Sequence, residues 1–378
     1  MSILITGATG FLGCRLVREL LARPGTEPVT VLGRGTEADL RARTEAAIAW
    51  LDAPPLPQAA LGRLRFVSGD ITKPGLGLKQ GTRDRVTDGL TQIWHSAALL
   101  HLDGDPVPLH RTNVLGTRHV LDLADHAPSA RLVHVSTAYV AGRRRTGHIL
   151  EDDLSEDDGF HCAYEETKYT AETAVHAWAR IRSRTALILR PSLLTADRPT
   201  PEGLPRQPLD TLTHLIEVQT HSWPLRTRGF TTGTGQGRGR GDTLHVRLLA
   251  DPDGSLNLLQ ADFAAHAMVR AAEGPLGEQP VRTLHLTHPQ NTSLRTLLGA
   301  IERRFPFMTV LPVDEIPDPT RVEALSTQQA GPFLGYFTQR RTYDRTHLLE
   351  ATHGLADPKP IDEDYLLRAL QPVGAVNA

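Results

Sequence analysis

Lysine is nearly absent from this chain: of 41 basic residues in 378, only Lys73, Lys79, Lys168 and Lys359 are lysines. Cysteine is scarcer still, with Cys14 and Cys162 alone. Two thiols build no disulfide framework, and no Cys/His spacing matches a zinc site, so a reduced, cytosolic protein without a metal is expected. An excess of one charge is lacking too. The 41 basic and 43 acidic residues leave a formal net charge of -2, so no overall field draws the protein to nucleic acid or to an anionic membrane, and neither is an expected partner. Nowhere do ~18 apolar residues run uninterrupted, and the chain enters Ser2-Ile-Leu-Ile-Thr-Gly7 without a basic or long apolar leader, so it is expected to be soluble and unprocessed. Aromatic residues make up only 5%, but 40% hydrophobic and 22% charged residues form an ordinary globular mixture, which excludes long-range disorder.

What the chain does contain, through its first half, is an alternation of short apolar runs with segments of helical period. The runs are residues 2–6, Val29 to Leu32, Leu64 to Val67, Gln92 to His95, Arg131 to Val135 and Ala186 to Leu189. Runs that are apolar throughout suit strands covered on both faces, and their alternation with helices predicts a Rossmann-type, doubly wound α/β sheet. Between the first two runs, Leu12, Leu16, Val17, Leu20 and Leu21 form a helical stripe that stops at Pro24-Gly25. After Pro191 the alternation breaks. A helix is expected at 262–272, a strand at 283–287 and a helix at 293–304, as parts of a smaller, interwoven C-terminal lobe. The tract from Arg226 to Asp242, with six glycines and four arginines, reads as a solvated loop.

Gly7-Ala-Thr-Gly10-Phe-Leu-Gly13 joins the first strand to the first helix. In that place, Gly7 permits a tight turn, Gly10 a close approach of pyrophosphate to backbone, and Gly13 close packing of helix on strand, with the helix start facing the anion. A dinucleotide is therefore expected. The second strand ends in Leu32-Gly33-Arg34 rather than in the carboxylate that binds a ribose 2′-hydroxyl. Arg34 can instead pair with a 2′-phosphate, which favours NADPH over NADH. Asp70-Ile71 follows the third strand, where an acid can meet the adenine amino group or merely close a turn. On this reading residues 1–190 form the NADP-binding domain, with 244–272 returning to it, and 191–243 with 273–378 form the substrate-binding lobe.

With six tyrosines and four lysines, a lysine four residues after a tyrosine is a rare coincidence, yet Tyr164 and Lys168 have this spacing at the start of a predicted helix. Positions i and i+4 share a helix face, where an ammonium is expected to lower the phenol towards neutrality and let it exchange a proton with a substrate oxygen. Upstream, the fifth strand ends in Val135-Ser136-Thr137-Ala138-Tyr139. Thr137 is the preferred hydroxyl to join them, with Ser136 in reserve, because ligands of open α/β sheets lie beyond the strand carboxyl ends. Tyr139 reads as packing.

These features together resemble the extended short-chain dehydrogenase/reductase superfamily. The likeness runs through residues 1–300: GATGFLG, DIT at 70–72, HSAA at 95–98, NVLGT at 113–117, VSTAYV, YEETK and Arg190-Pro191. HVSTAYVAG followed by YEETKYTAE is most similar to the branch that reduces thioesters, which includes fatty acyl-CoA reductases and terminal reductase domains of carboxylic acid reductases and nonribosomal peptide synthetases. The resemblance implies an NADPH-dependent carbonyl reductase with a Thr137, Tyr164 and Lys168 triad. It also implies cofactor contacts from Gly7, Thr9, Gly10, Phe11, Leu12, Gly13, Arg34, Asp70, Ile71, Ala97, Ala98, Lys168, Pro191 and Ser192, with Asn113 supporting the site. The implied substrate is an acyl thioester of CoA or of an acyl carrier protein, handled by a monomer or homodimer. Ketone or alcohol tailoring, and sugar-nucleotide epimerisation or dehydration, stay open.

Some tempting residues have simpler readings. Arg143-Arg144-Arg145 can meet phosphates of such a substrate or lie on a solvated loop. The acidic runs 151–153 and 156–158 read as solvated loops, Cys14 as packing, and Cys162 as lacking an activating partner. Phe333, Tyr336 and Phe337 either close a substrate pocket or seal the small lobe.

Overall fold

The structure, a computed structural model, describes residues 2–51, 53–102, 105–198, 200, 203–204, 206–222, 243–275, 279–320, 323–324 and 335–371. Seven strands make one parallel sheet: β1 (Ser2–Thr6), β2 (Val29–Gly33), β3 (Leu64–Ser68), β4 (Leu90–His95), β5 (Arg131–Val135), β6 (Ala186–Pro191) and β7 (Val281–Leu286). Their order is β3-β2-β1-β4-β5-β6-β7, so the chain reverses its direction of travel between β1 and β4 and opens a crevice at their carboxyl ends.

Side-chain alternation explains why both faces are covered. Ile3 and Ile5 enter the apolar cluster on one face and Leu4 the other; Val133 and Val135 oppose Leu132 in the same way. The first face receives α1 (Gly13–Ala22), α2 (Glu37–Ala49) and, from far along the chain, α5 (Ala261–Glu273). The second receives α3 (Gly116–Asp125) and α4 (Ala163–Arg182). The predicted stripe of α1 is buried through Leu16, Val17, Leu20 and Leu21. No helix among the described residues is long and apolar enough to cross a membrane.

Two compact units divide the chain: residues 1–194, 257–290 and 341–359, and residues 195–256, 291–340 and 360–378. These boundaries differ from those expected. The strand placed in the lobe is β7, which pairs in parallel with β6 through Ile188 opposite Thr283 and Arg190 opposite His285. Residues 244–256 belong with the second unit, and 341–359 with the first. The second unit has its own parallel strand pair, Leu244–Leu249 with Met308–Val313, and a helix at Leu294–Arg304 capped by Ser293. The Gly/Arg tract and Phe333 lie outside the described residues. Tyr336 and Phe337 are buried.

Residues 341–359 join the sheet unit through a group the sequence concealed. Glu151, expected on a solvated loop, is fully buried. Its carboxylate accepts from the backbone N–H of His285 (2.8 Å), His347 (2.5 Å) and Leu348 (3.2 Å). Burial pushes this carboxyl up to about 7, against the N–H donors that favour the ion. The native fold therefore holds the proton more tightly than the unfolded chain does. Its share of stability is complete below the ordinary value of 4.5 and is lost as pH rises through about 7. Glu151→Gln, which does not ionise, is expected to flatten the decline in urea midpoint between about pH 5 and pH 8; equal slopes in both proteins would refute this.

Candidate active site

The glycine turn follows β1 directly. Gly7 has φ +77°, and a Cβ there would stand 2.6 Å from the Ala97 nitrogen, in the backbone that leaves β4. At Gly13 a Cβ would stand 1.9 Å from the Gly7 carbonyl oxygen, so only glycine lets α1 sit this close to the turn. Gly10 meets nothing but that same oxygen, at 3.1 Å, and the turn closes through its N–H to the Gly7 carbonyl. No side chain caps the start of α1 and no acid lies in its first turn, so the positive end of the helix is left for an anion. Thr9 belongs to the turn; Phe11 and Leu12 close it, with Arg15 stacked 4.3 Å above the Phe11 ring and Leu12 against the core.

His95, at the end of β4, holds this region in register. The Thr117 hydroxyl donates to the Asn113 carbonyl (2.6 Å), so it accepts from His95 Nε2–H at 3.0 Å. His95 Nδ1 is then the acceptor for the Thr6 hydroxyl (2.9 Å), whose oxygen accepts the Ala97 N–H (3.3 Å). Burial, together with the nearby Lys168 charge, lowers the ring to about 3, in keeping with this neutral tautomer. Ala98 is exposed beside Ala97. Asn113 is buried in a wider, π-type turn at His110–Leu115, and its amide acts as a clamp. Oδ1 accepts the Leu99 N–H (2.8 Å), while Nδ2 donates to the Leu99 carbonyl (3.0 Å) and to the Thr167 hydroxyl of α4 (3.1 Å).

Helix α4 carries Tyr164 and Lys168 one turn apart and packs against the Ala138–Ala141 turn that follows β5. Lys168 is buried and donates to the Val135 carbonyl at 2.7 Å, which ties the helix to the end of β5. Burial brings its ammonium down to about 8, with Glu172 pulling the other way. The half-buried Tyr164 departs from expectation: burial, aided by Cys162 and Glu165, raises its phenol instead of lowering it. The ammonium expected to stabilise a phenolate is directed at a backbone carbonyl. A phenol that stays protonated is an acid, the form in which it can give a proton away.

Ser136 and Thr137 part company. The Ser136 hydroxyl donates to Glu172 Oε2 at 2.5 Å, and Glu172 accepts from Arg190 Nε at 3.0 Å and Nη2 at 2.5 Å. Among the described residues Thr137 makes only long contacts, donating to the Pro191 carbonyl (3.4 Å) and accepting from the Tyr139 N–H (3.3 Å), so its hydroxyl is loosely held. Sequence reasoning missed Glu172, although it lies on the Lys168 face one further turn along; Arg190 was noted only as part of a motif.

The other expected residues fall around the same crevice edge. Arg34 is exposed past β2; against burial, the Thr72 hydrogen bonds and, less, the Arg34 charge hold the Asp70 carboxyl below its ordinary value. Asp70 Oδ1 accepts both the N–H (2.9 Å) and the hydroxyl (2.8 Å) of Thr72, while the Ile71 carbonyl accepts from His119. Ser192, after Pro191, is buried, and its hydroxyl has no hydrogen-bond partner among the described residues. Such an orphan is what a polar ligand would satisfy, and with the bare start of α1 and the cradle at Gly10 it fits a dinucleotide. Of the three arginines, Arg144 is committed to Asp153 (3.0 Å) and to the His148 carbonyl, whereas Arg143 and Arg145 are exposed. Cys14 is buried, as expected.

Known proteins match this arrangement. The L-2-aminoadipate reductase large subunit of Penicillium chrysogenum is 29% identical over 219 residues, 53% of this chain and 15% of that protein. A dTDP-glucose 4,6-dehydratase of Mycolicibacterium smegmatis is 32% identical over 183 residues, 48% of this chain and 49% of that protein. The chain thus spans less than half the length of these curated relatives. Among solved structures, the terminal R domain from the myxalamid PKS-NRPS biosynthetic pathway superposes with a TM-score of 0.74 at 24% identity, covering 98% of this chain and 89% of that one. The family profile described as male sterility protein, an NAD-binding family, matches residues 5–268. With a glycine turn, a seven-stranded parallel sheet and a Tyr-x-x-x-Lys helix in place, the chain belongs to this male sterility family of extended short-chain dehydrogenases/reductases, the NAD(P)-dependent oxidoreductases.

Proposed function

We propose that this chain is an NADPH-dependent reductase of acyl thioesters, carried by CoA or by an acyl carrier protein, with Thr137, Tyr164 and Lys168 as its catalytic residues. One observation carries the reading. The Tyr164 hydroxyl makes no hydrogen bond among the described residues, and it stands one turn from a buried lysine that is anchored where the loosely held Thr137 hydroxyl begins. With its pyrophosphate held at the glycine turn, a bound NADPH would supply hydride to a carbonyl carbon. Thr137 and Tyr164 donate to the carbonyl oxygen as it gains negative charge, and Tyr164 gives up its proton. Lys168, anchored on the Val135 carbonyl, would hold the ribose of the nucleotide. For a thioester the carbon–sulfur bond then breaks, so that one hydride and one proton yield an aldehyde and a free thiol.

Similarity to an aminoadipate reductase and to a terminal R domain supports the thioester class. The dehydratase relative favours a second reading, sugar-nucleotide chemistry, in which no nucleotide is consumed overall. Incubating the protein with NADPH and a panel of acyl-CoAs, carrier thioesters, ketones and dTDP-sugars, with thiol and NADPH measured together, separates them. One thiol released per NADPH oxidised, or per two NADPH where the aldehyde is reduced on to the alcohol, supports thioester reduction. NADPH loss without thiol, or product without NADPH loss, removes it.

Arg34 is assigned to the 2′-phosphate. Arg34→Ala is expected to weaken NADPH binding about 10- to 100-fold, the worth of a charge-assisted hydrogen bond, and to leave NADH binding unchanged. Titrating both nucleotides against intrinsic fluorescence checks this.

A further inference from the structure

A carboxylate buried on the helix of Tyr164 and Lys168 has no part in the chemistry above. Glu172 is fully buried, four residues after Lys168 on the same face of α4. Arg190 reaches it from β6 with two nitrogens, and the Ser136 hydroxyl reaches it from the end of β5. Arg190 continues to the carbonyls of Glu151 (3.1 Å) and Asp153 (2.9 Å), and it lies 3.4 Å from His285 Nε2 on β7. We propose that Glu172 is a positioning residue: by holding Ser136 and Arg190 it sets the end of β5 from which Thr137 projects, and it supplies the negative charge that faces the Lys168 ammonium.

Geometry separates these two tasks. A short hydrogen bond commits the Ser136 hydroxyl to Glu172, while Thr137, which starts the Ala138–Ala141 turn, contacts the Pro191 carbonyl at only 3.4 Å. At i and i+4 Lys168 and Glu172 share one face of the helix, and the Glu172 carboxylate is the charged group that favours the ammonium against its burial. The other groups around the pair add little charge. His134 on β5, His95 on β4 and His285 on β7 are all held neutral by burial, and His176, partly exposed, lies 3.8 Å from Glu172 Oε1. Burial alone would drive Lys168 to its neutral form; Glu172 opposes it.

The scarcity of lysine makes the charge state of Lys168 directly observable. Protein grown on lysine carrying 13C at Cε should give four side-chain signals, and the one missing in Lys168→Arg is Lys168. Its midpoint is expected near 8 in the wild-type protein. In Glu172→Gln it should fall by about one pH unit, a ~10-fold change in acid constant, with Lys73, Lys79 and Lys359 unmoved. An unchanged midpoint in folded Glu172→Gln overturns the proposal. Because that variant leaves a guanidinium buried without its partner and can fail to fold, Glu172→Gln/Arg190→Gln is titrated beside it. The double variant should move the midpoint in the same direction, and no shift or a rise overturns the proposal equally. In an active enzyme the alkaline limb of kcat/KM should follow the midpoint, a consequence that rests on the reductase reading. If the wild-type protein reduces no carbonyl substrate, that reading falls, while the titration still decides the role of Glu172.

Discussion

Tyr164→Phe is expected to lower kcat for carbonyl reduction by about 10²- to 10⁴-fold, the usual worth of a positioned general acid. Nucleotide affinity and melting temperature should stay as they are, because the phenol oxygen makes no hydrogen bond to the described fold and its removal leaves no group unsatisfied. Burial keeps this phenol protonated through the neutral range. The pH dependence of the wild-type rate should therefore come from Lys168, whose charge is present below about 8 and lost above it, giving an alkaline decline. Steady-state kinetics with a thermal melt on the same sample check both statements. A variant keeping more than about a tenth of the wild-type rate would remove Tyr164 from the proton step.

A comparable loss, for a different reason, is expected at the glycine turn. In Gly13→Ala the new methyl group would stand 1.9 Å from the Gly7 carbonyl oxygen and 2.7 Å from its carbon, and both are backbone atoms that no rotamer change can move aside. Helix α1 must then lift away from the turn. Overpacking of this kind costs roughly 3 kcal/mol or more, a large part of the ~5–15 kcal/mol that holds a domain together. A lower urea midpoint and loss of NADPH binding should appear together. Gly10→Ala isolates the second effect. Its Cβ would meet only the Gly7 oxygen at 3.1 Å, so stability should fall little while a pyrophosphate loses its close approach. Equal stability losses in the two variants would show that Gly10 serves the fold and not the ligand.

Much of this architecture could be read before any coordinates. Six of the seven sheet strands were legible as apolar runs, because a strand buried on both faces has little use for polar residues, and β1, β2, β3, β5 and β6 start where their runs start. The seventh strand was also visible as a strand but was put in the wrong unit. Its parallel pairing with β6 joins residues about 95 positions apart, as His285 on Arg190 shows, and periodicity carries no information about so distant a neighbour.

The chemistry divides along the same line. Local spacing sufficed for the glycine turn and for Tyr164 with Lys168, since a turn and a helix face are set by residues within a few positions of each other. What depends on contacts between remote segments needed the fold. The bond that commits Ser136 comes from Glu172 on a remote helix, the direction of the Tyr164 shift from burial, and the role of Glu151 from amides at positions 285, 347 and 348. Propensity and period are properties of a short stretch of chain, whereas burial and charge are properties of whatever the fold brings to that stretch.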